Sequence, residues 1–217
     1  MGAKGKKGGG KRIEVERYLK STRIIDCDTG TIQDKAREMT IGQEGTIEKA
    51  KSLFYFVRDG IKYNPYVPRH LPEHFSASNT LSRGEGFCIQ KAILLVALSR
   101  AVGIPARLGF AIIRNHLLSK KIAEMLVSNV FPDHGYAELY LDGKWVTATP
   151  AFDLEMCQKN RIAPVEFDGK NDAKFHSHTL DGKLHIEYLS NRGSYEDVPL
   201  DEIQEWYTSV LKPEGEN

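Results

Sequence analysis

Residues 84–105 read GEGFCIQKAILLVALSRAVGIP, and this stretch decides the fold. Its apolar residues cover most of the circumference of a helix, which is typical of a helix buried on all sides. Gly103 can end such a helix in a left-handed conformation, and Pro105 prevents its continuation. The pattern therefore predicts a buried helix over residues 87–102, with Cys88 in its first turn.

The position of Cys88 suits a nucleophile. The first turn of a helix has unpaired N–H groups and the positive end of the helix dipole, so a thiol there is expected to have a lowered pKa. The same N–H groups can receive the oxyanion that develops when a thiolate attacks a carbonyl. From position alone a structural buried cysteine is the alternative, because cores often contain one.

The residues after this helix predict an antiparallel sheet. Residues 106–113 have the composition of a strand, and residues 134–141 (HGYAELYL) alternate between apolar and polar. Asp142-Gly143 is a typical type I′ hairpin turn, after which residues 144–149 return as a second strand. One buried helix followed by antiparallel hairpins indicates an α+β fold.

Other elements are predicted more simply. Residues 13–19 fit either a short strand or an irregular helix. Residues 117–128 fit an amphipathic helix, and the insertion over residues 115–133 that contains it either covers the active site as a lid or is a plain connection. The remaining predictions are a helix over 48–59, an extended piece over 61–65, a surface loop over 64–80, a hairpin over 175–189 turning at Asp181-Gly182, and a helix over 200–211.

Three motifs in order resemble the transglutaminase-like superfamily. They are Gly86-Phe87-Cys88, then RAVGIPAR over residues 100–107, then His134 followed by Glu138 and, after the hairpin turn, Trp145. The similarity extends over residues 48–153. It implies a papain-like core in which a buried helix carrying the cysteine packs on an antiparallel sheet carrying the histidine. It also implies that Cys88 is the nucleophile and His134 the general base.

The third catalytic residue departs from the family pattern. The family has Asp-Pro after the tryptophan, and this aspartate orients the histidine, whereas this chain has Thr149-Pro150. By strand parity Thr149 and Asp153 share the face of His134. Asp153 is the predicted orienting residue; Thr149, or no third residue at all, are the alternatives.

These residues predict a cysteine-dependent amide or peptide hydrolase that forms a Cys88 acyl-thioester. The substrate is then a peptide, a protein or a small amide, and no cofactor is expected. The alternatives are a transglutaminase, in which an amine takes the acyl group, and a binding module that has kept the fold without activity. No calcium-binding loop is recognisable, so the calcium dependence of animal transglutaminases is not expected here.

A second set of polar residues lies on the predicted hairpin over 175–189. Its register would bring His176, His178, His185 and Glu187 to one face. Such a set can bind a transition metal, but a polar sheet surface or a wall of the substrate cleft is the favoured interpretation.

Length and charge set broader limits. The 217 residues fit a single domain, predicted over residues 13–217, preceded by a disordered basic tail over residues 1–12. Removing the five positive charges of this tail from the net charge of +1 leaves −4 on the rest, so no nucleic-acid partner is expected, although the tail alone could touch one.

Cys27 and Cys157 are expected to be inert. Without a secretory signal or a long apolar run, the expected location is cytoplasmic, with no membrane partner.

Overall fold

The computed structural model describes residues 14–212. Its α-helices are α1 Gly30–Thr40, α2 Thr46–Gly60, α3 Ala77–Arg83, α4 Cys88–Ala101, α5 Lys120–Met125, α6 Leu154–Lys159 and α7 Leu200–Thr208. Its strands are β1 Lys62–Tyr63, β2 Glu85–Gly86, β3 Ala106–Asn115, β4 Val130–Leu141, β5 Lys144–Ala148 and β6 Ile186–Tyr195. Short 3-10 helices lie at Arg17–Leu19 and Pro72–Phe75. The predicted basic tail lies outside the described residues.

The main sheet has four antiparallel strands in the spatial order β5-β4-β3-β6. A separate parallel pair joins β1 to β2 directly before α4. Helix α4 packs on β3 and β4 with one side and on α1, α2 and α3 with the other. The predicted α+β class, with a buried helix on an antiparallel sheet as in a papain-like core, is therefore confirmed.

Helix α4 is apolar because protein surrounds it. Every residue from Ile89 to Arg100 is buried. None of the helices within residues 14–212 combines the length and the apolar character that a bilayer span would need. The one lysine of the helix, Lys91, donates hydrogen bonds to the carbonyls of Arg58 (2.9 Å) and Ile61 (2.6 Å) at the end of α2. Lys91 therefore holds α2 and β1 against the helix that carries Cys88.

The hairpin between β4 and β5 is confirmed. Asp142 and Gly143 both have positive φ angles, 48° and 84°, as a type I′ turn requires. The register follows the prediction from the turn as far as Ala137 opposite Ala148. There the ladder ends, because the N–H of Thr149 turns away to the carbonyl of Ala173 (3.1 Å).

The hairpin predicted over residues 175–189 is wrong in its register. His178 lies opposite Leu184 and not His185. The turn is one residue longer than Asp181-Gly182 suggested, because the Thr179 hydroxyl accepts the N–H of Lys183 (3.0 Å) and donates to Asp181 (2.5 Å). The residues that follow join β6, which pairs with β3.

The surface loop predicted over residues 64–80 is also wrong in part. It contains the 3-10 helix Pro72–Phe75 and the start of α3. Phe75 and Ala77 are buried and anchor the segment to the core. The Gln90 amide of α4 donates to the carbonyls of Pro68 (3.0 Å) and His74 (2.8 Å), so the segment is fixed to the start of α4.

Gly109 of β3 provides a test of the sheet. It lies directly opposite Tyr136, and a Cβ atom at position 109 would overlap the Tyr136 ring. We expect Gly109→Ala to lower the free energy of unfolding by about 1–3 kcal/mol, because the ring must move out of a packed interior. Gly30→Ala is the matched control, since nothing lies within 4 Å of a Cβ at that position. Denaturant titration measures both, and equal stabilities of the two variants would contradict the close packing at Gly109.

Candidate active site

The N-terminus of α4 approaches strand β4 most closely at Gly135. A Cβ atom on Gly135 would lie 3.0 Å from Cγ1 and 3.1 Å from Cα of Ile89, the second residue of the helix. Only a residue without a side chain permits this approach at no cost. The contact places Cys88, the first residue of α4, beside the strand segment that carries His134.

The Cys88 thiol is held in its protonated form. Its side chain is only partly exposed, and removal from water raises the pKa of the thiol to about 12. The negative charge of Asp133 acts in the same direction, whereas the backbone N–H groups of Gly135 and Ile89 and the charge of Arg69 act against it. The lowered pKa expected from the helix dipole is therefore wrong, because desolvation outweighs the dipole.

A cavity of about 780 Å³ opens beside the thiol. Cys88 and Asp133 lie in its wall, and Asp153 borders it. Six aromatic side chains also line it: Tyr63, Tyr66, Phe87, Phe131, Phe152 and Tyr207. Helix α5 lies in the insertion before β4 and forms one side of the cavity together with residues 207–211. The two segments are joined by a β-bridge between Leu126 and Leu211. The insertion is thus a wall of the cavity, and its helix is shorter than predicted.

His134 is buried behind this wall. Its side chain is 2% exposed, and its ring packs 5.0 Å from the Phe175 ring and 5.8 Å from the Tyr188 ring, measured between centroids. Burial lowers the pKa of the imidazole to about 3, so the ring is neutral at pH 7. The connection between His134 and the thiol runs through the next residue of the strand, Gly135. This glycine contacts both Ile89 and Cys88 at the start of α4.

The partner of the imidazole is Tyr188 of β6. Its hydroxyl lies 3.4 Å from Nε2 of His134 and accepts the N–H of Phe175 (3.3 Å). Burial raises the pKa of Tyr188, and Thr149, which stands in place of the family aspartate, acts in the opposite direction. The Thr149 hydroxyl is nevertheless buried without a hydrogen-bond partner among residues 14–212. Thr149 thus lies near Tyr188 but does not hydrogen-bond the imidazole of His134.

Asp153 binds two backbone N–H groups and not the imidazole of His134, for which it was the predicted partner. One carboxylate oxygen accepts the N–H of Tyr63 (2.7 Å), and the other accepts the N–H of Met156 (2.8 Å) as the N-cap of α6. No hydrogen bond or ion pair joins Asp153 to His134 in the described part of the chain. Asp153 thus connects β1 to α6 at the border of the cavity, and the role of orienting His134 is open to Tyr188.

Two residues of the site, Asp133 and Tyr188, are absent from those predicted by sequence. Asp133 lies directly before His134. An acidic residue inside a strand that is mostly buried is unusual, and this feature of the sequence could have identified Asp133 as a site residue. Tyr188 is 54 residues from His134, and no spacing pattern connects the two. Only the pairing of β6 with β3 brings Tyr188 to the site.

Other residues of the family motif stabilise the main sheet. Arg107 of β3 lies opposite Glu138 of β4, and their side chains form an ion pair of 2.6 Å. The Arg107 guanidinium also lies 4.1 Å from the centre of a Trp145 ring. These three residues join β3, β4 and β5 away from the thiol, which accounts for their place in the motif without a catalytic role.

The histidines of the 175–189 segment differ in their burial. His185 is 1% exposed, whereas His176 and His178 are exposed. No group of three or more His, Cys, Asp or Glu side chains within residues 14–212 is arranged to hold a metal ion. Cys27 and Cys157 are buried, and burial raises the pKa of both thiols, to about 11 for Cys157.

A search of solved structures finds similar proteins at low sequence identity. A candidate cysteine protease from Cytophaga hutchinsonii is 18% identical, with 84% of this chain and 54% of that chain covered and a TM-score of 0.49. The periplasmic domain of TgpA from Pseudomonas aeruginosa is 17% identical, with 64% of this chain and 47% of that chain covered and a TM-score of 0.45. This chain thus spans about half the length of each of these proteins.

A search of curated proteins finds no match to the sequence. The description of one family, the transglutaminase-like superfamily, matches residues 33–150, which include Cys88, His134 and the β4–β5 hairpin. These residues are more than half of the chain, and they include helix α4 and three of the four strands of the main sheet, β3, β4 and β5. The chain therefore belongs to the transglutaminase-like superfamily.

Proposed function

We propose that this protein is a cysteine-dependent amide or peptide hydrolase that forms an acyl-thioester on Cys88. The observation that carries the proposal is the thiol at the first residue of a buried helix, in the wall of a 780 Å³ cavity and against the strand segment of His134. A structural cysteine would have no need of a cavity. A binding module without activity would have no need of the retained histidine, which directly precedes the glycine that contacts the thiol.

The reaction starts from a neutral thiol and a neutral imidazole. As the sulfur attacks the carbonyl carbon of the amide, His134 takes the thiol proton, so that charge develops only during the reaction. The N–H groups of Gly135 and Ile89 favour negative charge near the sulfur and are suited to stabilise the oxyanion. The C–N bond then breaks, and His134 gives its proton to the leaving amine. Water completes hydrolysis of the thioester by the same proton transfers.

Tyr188 determines which imidazole nitrogen acts as the base. Its hydroxyl oxygen accepts the N–H of Phe175 and has a second lone pair for an N–H on Nε2 of His134. His134 then carries its hydrogen on Nε2, and Nδ1 keeps the lone pair that takes the thiol proton. Tyr188 is in this way a positioning residue in place of the family aspartate.

Hydrolysis is favoured over transamidation because water reaches the cavity. Lining residues remain exposed, among them Tyr66 (50%) and Met125 (45%). Transfer to an amine instead requires a site that binds the amine and excludes water at a concentration of about 55 M. Transamidation is the second candidate, favoured by the six aromatic rings of the cavity. Some of these rings serve the core, since Phe152 stacks on Phe175 at 4.4 Å.

The raised pKa of Cys88 predicts slow alkylation at low pH. With a pKa of about 12 instead of about 8.5, the thiolate fraction at pH 6 falls roughly a thousandfold or more below that of a free thiol. The rate of labelling by N-ethylmaleimide should rise about tenfold per pH unit from pH 6 to pH 10. Peptide mass mapping should show Cys88 labelled before Cys27 and Cys157, because only Cys88 borders the cavity. Rapid labelling of Cys88 at pH 6 would instead indicate a preformed thiolate.

Substitution of Tyr188 tests the positioning of the imidazole. We expect Tyr188→Phe to lower kcat for amide hydrolysis about tenfold or more with little change in KM, because a misoriented base loses much of its value. Tyr195→Phe is the matched control: Tyr195 lies on the same strand, and its hydroxyl bonds Glu202 at the surface. Asp153→Asn should lower the melting temperature more than kcat, since Asp153 caps α6. A large kcat effect at Asp153 with none at Tyr188 would return the role to Asp153.

The fate of the acyl group distinguishes the two candidate activities. With an amide substrate and about 10 mM of a primary amine, most of the product should be the free acid, because water reaches the thioester. Mass spectrometry of the products measures the ratio, and Cys88→Ala should abolish both products. A predominantly amidated product would make transamidation the main activity.

A further inference from the structure

Asp133 is a buried carboxyl group whose contacts leave acceptor positions free, since only its own backbone N–H acts on it as a hydrogen-bond donor. Its residue is 7% exposed and lies in the cavity wall together with Cys88. Within residues 14–212 no other residue forms a hydrogen bond or an ion pair with its carboxylate. The carboxyl is close enough to Cys88 for its charge to be the second-largest influence on the thiol.

The two arginines whose charges reach Asp133 are held elsewhere. The Arg69 guanidinium lies over the rings of Phe87 (4.0 Å) and Tyr207 (4.8 Å). Arg192 donates to the carbonyl of Pro132 (2.7 Å) and lies 4.5 Å from the centre of a Trp206 ring. Both therefore reduce the cost of the buried charge without satisfying the hydrogen-bonding capacity of the carboxyl.

A carboxyl group in this position is costly for folding. Removal from water disfavours the charged form and raises the pKa of Asp133, although its own backbone N–H acts in the opposite direction. A carboxylate has about four acceptor positions, so this contact leaves room for a donor from a ligand. The cavity next to the carboxyl gives such a ligand access.

We propose that Asp133 binds the N–H of the scissile amide, so that the substrates of Cys88 are amides with a hydrogen on the nitrogen. This inference rests on the proposed function. A carbonyl carbon under attack by the Cys88 sulfur has its amide nitrogen one bond away, and the thiol and the carboxyl line the same cavity. The nitrogen of such an amide carries a donor for the free acceptor positions of Asp133, whereas an ester oxygen carries none.

A matched pair of fluorogenic substrates tests the inference. The 4-methylcoumarin-7-amide of phenylacetic acid and the 4-methylumbelliferyl ester of the same acid share their acyl group, and only the amide has an N–H. We expect Asp133→Ala to lower kcat/KM for the amide by about tenfold to hundredfold, the usual cost of a lost hydrogen bond to a charged group. The ester should lose less than about threefold. Glu205→Gln, which removes an exposed carboxylate on α7, should change neither.

Asp133→Asn guards against a folding defect in the alanine variant. It keeps the volume and one acceptor oxygen, so a smaller loss, still selective for the amide, is expected. Labelling of Cys88 by N-ethylmaleimide at pH 8 should be at least as fast in both variants as in the unaltered protein, because a charge that raises the pKa of Cys88 has been removed. An equal loss for amide and ester, or no loss for either, overturns the inference. So does cleavage of the ester but not of the amide by the unaltered protein.

Failure of the proposed function gives a different result. If Cys88→Ala retains the hydrolysis of both substrates, or if neither is cleaved by the unaltered protein, the thioester mechanism itself is contradicted. If Cys88→Ala abolishes both activities while Asp133→Ala affects them equally, the thioester mechanism stands and Asp133 has no selective role.

Discussion

The close approach of helix α4 to strand β4 at Gly135 is the constraint on which the site depends. The Cα of Ile89 lies only 3.1 Å from the point where a side chain at position 135 would begin. Because the space is filled by the helix itself, any larger residue must push the helix away from the strand and the thiol away from the N–H of Gly135. The other side of α4 is fixed as well, through Gln90 to the 64–75 segment and through Lys91 to the end of α2. The first turn of the helix is thus held from both sides.

The same enclosure determines the protonation of the site. A helix N-terminus favours a thiolate, but the free energy of placing a charge in a poorly solvated wall is larger. Both the thiol and the imidazole are neutral at pH 7, with pKa values of about 12 and about 3. A stable thiolate–imidazolium pair is therefore not the resting state. In the proposed hydrolase the proton is therefore transferred during attack, which makes the orientation of His134 more important than its basicity.

Tertiary contacts supply a partner for the imidazole where Thr149 replaces the family aspartate. The Tyr188 hydroxyl occupies the position beside Nε2 of His134. The carboxylate predicted for this role, Asp153, accepts two backbone N–H groups and stabilises the border of the cavity. Another carboxyl group, that of Asp133, lines the cavity together with the thiol.

The sequence by itself determined the buried helix, the cysteine at its start, the β4–β5 hairpin and the family. These features are local: the periodicity of residues 89–102, the glycine and proline at 103 and 105, and a two-residue turn each act over a few residues. Only the tertiary structure decided the protonation of the site and the partner of His134. Burial of Cys88 depends on the elements around it, and Tyr188 reaches His134 only because β6 pairs with β3. The partners of Asp153 are also decided by tertiary structure. Strand parity predicts the face of a side chain only within a ladder, and the β4–β5 ladder ends at Ala148. Beyond this point the Asp153 carboxylate accepts the backbone N–H groups of Tyr63 and Met156 and does not contact His134.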